Sequence, residues 1–90
     1  MRRYIQPDHL GIARALYQLI SKAESEEELH LIKEITGFFY DHYREDSDRI
    51  FFDLDEWVDL KLESDVITKK AMARRWANSI VKDFPELELG

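Results

Sequence analysis

Arg49-Ile50-Phe51-Phe52-Asp53-Leu54-Asp55-Glu56-Trp57-Val58-Asp59-Leu60-Lys61-Leu62 is the stretch on which the fold turns. Read one way, Val58, Leu60 and Leu62 alternate with Asp59 and Lys61, as in a half-buried strand. Read the other way, Asp53 and Glu56 have capping-box spacing, and Phe52 and Trp57 have the spacing of a hydrophobic staple. The second reading predicts a short helix over about Leu54 to Glu63, with Ile50 to Phe52 extended. A hairpin over 50–62 is the alternative.

The flanks favour the helix. Upstream, Ser25 with Glu28 forms a capping box, and Glu26, Glu27 and Glu28 suit the positive end of a helix dipole. From there Leu31, Ile32, Ile35, Phe38, Phe39, His42 and Tyr43 form one broad apolar face, with a kink possible at Gly37. Arg44 to Asp48 reads as the loop that follows. Further back, Pro7 and Asp8 open a helix over about Asp8 to Ala23, with Ala13, Leu16, Tyr17 and Ile20 at helical spacing. Downstream, a helix over about Asp65 to Asp83 places Val66, Ala73, Ala77, Ile80, Val81 and Phe84 on one face. Phe84-Pro85 ends it, because proline disfavours helical geometry in the residue before it. The tail from Glu86 to Gly90 reads as frayed. The chain thus reads as all-α, a compact bundle of about four helices in a single domain over residues 1–90.

Composition agrees. The 90 residues contain three glycines and two prolines, too few for a sheet rich in turns. A chain of this length buries about 65% of its unfolded surface, enough for one small core. There is no cysteine, which excludes a disulfide scaffold, a thiolate metal site and thiol catalysis. Met1-Arg2-Arg3-Tyr4 leads into no apolar segment, and no apolar run approaches membrane-spanning length. The expectation is a soluble cytoplasmic protein with no membrane association, monomeric or homodimeric.

Charge is unevenly placed. The formal net charge is −6. Residues 41–65 carry ten acidic and three basic groups, while residues 66–90 carry three acidic and five basic. Seven of the eleven aromatic residues lie within 38–57. Aromatic anchors within a field of one sign suit docking on an oppositely charged protein. Asp46, Asp48, Asp53, Asp55, Glu56 and Asp59 would supply charge, and Tyr40, Tyr43 and Phe51 contact area. Phe38, Phe39 and Trp57 fit apolar stripes and read as core. On this reading, reversing Asp53 and Asp55 to lysine leaves the fold intact.

Other chemistries fit less well. His30, Glu34 and Asp41 share a helix side but spread over three turns, too far apart to converge on one ion alone. Asp46-Ser47-Asp48 opens like a calcium loop, yet Phe51 and Trp57 stand where glycine and the bidentate glutamate belong. Glu24 with Glu27 and Glu56 with Asp59 are carboxylate pairs of the kind that hold magnesium in all-α nucleotide pyrophosphatases. That use needs the two pairs to converge. Lys69, Lys70, Arg74 and Arg75 would serve a DNA-binding regulator in which Val66 to Ala77 begins a helix-turn-helix and a turn follows Trp76. The acidic net charge argues against nucleic acid as the partner. No catalytic triad, phosphate loop or cofactor motif is present. In size and acidity the chain resembles small helical proteins that bind and block one partner, such as immunity proteins, inhibitors and adaptors. The leading expectation is therefore a non-enzymatic interaction module for a basic protein, without a metal or cofactor.

Overall fold

The fold was read from a computed structural model, which describes Ile5 and residues 7–43, 49–63 and 67–88. For residues 43 and 67–69 this covers the backbone only. Four helices make up most of it: α1 (Pro7–Lys22), α2 (Glu26–Tyr43), α3 (Arg49–Leu62) and α4 (Ile67–Asp83). A single 3₁₀ turn follows over Pro85–Glu88, and no strand occurs among the described residues. The radius of gyration is 12.4 Å, close to the ~12 Å of a compact single unit of this length.

The deciding stretch is helical throughout, so neither an extended Ile50–Phe52 nor a hairpin forms. Its buried residues are Ile50, Phe51, Leu54, Trp57 and Val58, spaced as one face of a helix. The helix therefore begins five residues before the expected Leu54. Arg49 reinforces this first turn, with its guanidinium 4.9 Å from the Phe52 ring centroid and 3.5 Å from Asp53 Oδ1. The strand-like alternation was misleading because Leu60 and Leu62 are only half-buried. α3 is the central helix and packs against α1, α2 and α4.

The helix ends follow local rules, with one long-range addition. Ser25 Oγ accepts the Glu28 N–H at 3.2 Å and its hydroxyl donates to Glu28 Oε1 at 3.0 Å, closing the capping box of α2. At the end of α1, Lys61 of α3 donates to Ile20 O at 2.6 Å and Ala23 O at 3.1 Å. A cation from another helix thus satisfies carbonyls that α1 cannot. Burial pushes the Lys61 amine below its ordinary value, with the charge of Glu24 opposing.

The described part of the tail, through Glu88, is ordered as a 3₁₀ turn and not frayed. Phe84 and Leu87 are both buried, and the 3₁₀ geometry of Pro85–Glu88 aligns positions three apart on one side. Arg14 reaches Glu86 O with Nε at 3.2 Å and Nη2 at 2.9 Å, and Tyr17 donates to Glu88 Oε1 at 3.3 Å. The segment is docked on α1 by burial and by these bonds.

α2 is continuous through Gly37. A Cβ there would meet only Asp55 Oδ1, at an ordinary 3.9 Å. Gly37→Ala is therefore expected to stabilise the protein by about 0.5–1 kcal/mol through helix propensity. Thermal unfolding followed by circular dichroism checks this, and a lowered midpoint would contradict it.

Candidate interaction surface

Three of the residues expected at a docking surface lie inside. Phe51 is 1% exposed and sits in the core, 5.6 Å from the His9 ring and 5.7 Å from Phe39. It follows Ile50 on the buried face of α3, so it offers no outer contact area. Asp53 and Asp55 are also buried. Asp53 pairs with Arg49, and its backbone carbonyl accepts Trp76 Nε1 at 2.8 Å. The expectation that both aspartates could be reversed without harm to the fold is overturned by this burial.

Asp55 belongs to a polar group linking α2 and α3. Lys33 Nζ lies 2.8 Å from Asp55 Oδ2 and 2.9 Å from Asp59 Oδ2. Thr36 is fully buried and donates its hydroxyl to Asp55 Oδ1 at 2.9 Å, with Lys33 O also within reach at 3.2 Å. Each oxygen of Asp55 therefore receives a donor, which is what permits its burial. Sequence reading missed Lys33 and Thr36. Their visible signal is a polar pair on the side of α2 that also carries Leu29 and Ile32.

Desolvation works to lower the Lys33 amine, but the hydrogen bonds and charges of Asp55 and Asp59 outweigh it, and the net shift is upward from 10.5. The stabilisation from protonated Lys33 is full below that value and disappears as pH rises through the higher folded value. The gap in thermal midpoint between wild type and Lys33→Met should therefore close at strongly alkaline pH. A gap that stays constant across that range would contradict the assignment.

The remaining expected residues divide as follows. Tyr40 is half-buried against Phe52, at 5.6 Å. Glu56 and Asp59 are half-buried on the outer side of α3. Asp46, Asp48 and the Tyr43 side chain lie outside the described residues. On the outward side of α2, facing away from α3, is the feature that sequence reading placed in the core. Leu31 is 64% exposed, Phe38 63% and Ile35 41%. They form a stripe at i, i+4 and i+7 that continues to His42, whose ring stacks on Phe38 at 5.7 Å. Beside the stripe run the exposed acids Glu27, Glu34 and Asp41, seven residues apart. The apolar face of α2 was read as one surface, but it is two. Leu29, Ile32, Thr36 and Phe39 turn toward α3 and the core, and the stripe turns away.

The alternative chemistries can be placed too. α4 runs unbroken through Ala77, Asn78 and Ser79, so no turn follows Trp76 and the expected helix-turn-helix is absent there. Lys70, Arg74 and Arg75 are exposed on α4, while the Lys69 side chain lies outside the described residues. Lys70 and Arg74 border an open cleft of about 430 Å³ with Ser21, Trp57 and Lys61. Among the described residues, no three histidine, aspartate or glutamate side chains gather as a metal site would require, and the pairs Glu24/Glu27 and Glu56/Asp59 do not converge. No described helix is long and apolar enough to cross a membrane. No protein-family model, curated protein or solved structure matches the chain.

Proposed function

We propose that this chain is a non-enzymatic protein-interaction module, of the inhibitor, immunity or adaptor kind, whose acidic and aromatic outer face docks on a basic protein. The observation that carries the reading is the exposed apolar stripe of α2 lying beside three carboxylates. Monomeric proteins seldom leave large apolar side chains contiguous at the surface without a use for them. Tyr40 and Phe52 form a separate half-buried patch on the α3-facing side of α2, near Glu56, while Asp59 is held by Lys33. Relative to the sequence expectation, Asp41, Glu34 and Phe38 replace Asp53, Asp55 and Phe51 in the contact set. A field of one sign speeds encounter with a basic partner, and the apolar stripe holds it once docked.

The test is capture from nuclease-treated lysate of the native host, using wild type and the triple variant Glu34→Lys, Asp41→Lys, Glu56→Lys. The expected result is one basic protein held by wild type and lost by a variant of unchanged circular dichroism. Its capture should also be slower at about 1 M salt, where the screening length falls to about 3 Å and the steering field is lost. Equal retention by both forms would sink the proposal. Recovery of nucleic acid, lost on nuclease treatment and on Arg74→Ala with Arg75→Ala, would move the site to the exposed cations of α4.

A further inference from the structure

The outer stripe of α2 has the spacing of a coiled-coil seam. Leu31, Ile35, Phe38 and His42 follow the alternating four- and three-residue steps of heptad d and a positions. In that register Glu27, Glu34 and Asp41 all fall at g, the position whose charge selects a partner helix. Ile32 and Phe39 fall at e, and both pack into this protein's own core.

We propose that this stripe seats an amphipathic helix of the partner, bearing an apolar row at heptad spacing flanked by lysine or arginine. The proposal rests on the reading that the acidic face docks on a basic protein, and it names the element that does so. Charge and register together favour such a helix over a second copy of this chain as the occupant. In a parallel pair, g of one helix meets e of the other, and e here is Ile32 and Phe39, which offer the acids no cation. In an antiparallel pair, g meets g, which sets Glu27, Glu34 and Asp41 against the same three carboxylates. A helix with cations at the facing positions removes that repulsion and pairs each acid instead. The apolar row supplies most of the holding energy, since exposed ion pairs contribute little individually.

Two synthetic three-heptad peptides test this, with leucine and isoleucine at d and a and with either lysine or glutamate at every e and g. Binding to the full chain is followed by fluorescence anisotropy of the labelled peptide. The lysine peptide should bind and the glutamate peptide should not. Phe38→Ser and Glu34→Lys, each at an exposed position, should weaken binding by about tenfold or more with circular dichroism unchanged. If the lysine peptide binds Phe38→Ser as tightly as wild type, the seat falls while docking by charge survives. If neither the peptide nor polylysine binds at all, both the seat and the acidic docking face fall. Sedimentation that finds a dimer of the chain alone, made monomeric by Phe38→Ser, would instead assign the stripe to self-association and overturn the proposal.

Discussion

Asp55→Lys is expected to cost at least about 3–5 kcal/mol of folding stability, the usual effect of leaving a buried charge without its partner. The site is 9% exposed and tuned to an anion. Lys33 Nζ is 2.8 Å from one carboxylate oxygen, and the Thr36 hydroxyl donates to the other. A lysine placed there brings two cations together and leaves the buried Thr36 hydroxyl without its carboxylate acceptor. Small domains have total stabilities of about 5–15 kcal/mol, so much of the population should unfold at physiological temperature. Asp55→Asn should be milder, at about 1–3 kcal/mol, because an amide oxygen still accepts from Thr36 while the charge opposite Lys33 is lost. Urea unfolding followed by circular dichroism measures both. A wild-type midpoint for Asp55→Lys would show that the site is not buried as described. A double-mutant cycle with Thr36→Val isolates the hydroxyl–carboxylate bond from the rest of the group.

The second large effect separates two phenylalanines. Phe51→Ala should destabilise by about 3–5 kcal/mol, because it removes a fully buried ring and the contracted side chain leaves a cavity. The ring lies between His9 and Phe39 and so joins α1, α2 and α3. Phe38→Ala should stay within about 0.5 kcal/mol of wild type, as expected for an exposed side chain away from special backbone features. Chemically the two substitutions are identical, so their difference reads burial directly. Equal midpoints for both would refute the division of these residues between core and surface. The comparison also protects the binding test, since Phe38 variants must remain folded for their loss of affinity to carry meaning.

Local chemistry was legible where it acts over a few residues. Ser25 and Glu28 mark the start of α2, and Pro85, two residues after Asp83, stops α4. α3 was legible in kind but not in length. Its expected cap at Asp53 and staple at Phe52–Trp57 fall inside a helix that begins at Arg49. The run Ile50, Phe51, Leu54, Trp57, Val58 carries the helical period more clearly than either local device. Glu86 to Glu88 were misread because their order comes with Arg14, 72 residues away in the chain from the carbonyl it holds.

The candidate site was less legible, for a related reason. Acidic density in residues 41–65 marks a region but not a direction. Asp55 turns inward because Thr36 and Lys33, 19 and 22 residues away in sequence, meet its two oxygens. Phe38 turns outward because α2 packs mainly on α3, so only part of its wide apolar face is covered. By itself, then, the sequence determined that this protein is a bundle of helices, where most of them begin and stop, and that it carries far more acid in its middle than elsewhere. Those properties follow from period, capping and composition, which act within a turn or two of helix. Only the tertiary structure decided which side of α2 is core, which carboxylates are paired in the interior and which apolar stripe is left exposed. Periodicity fixes the angle between residues about one helix axis, whereas burial depends on which neighbouring helix arrives and on which side.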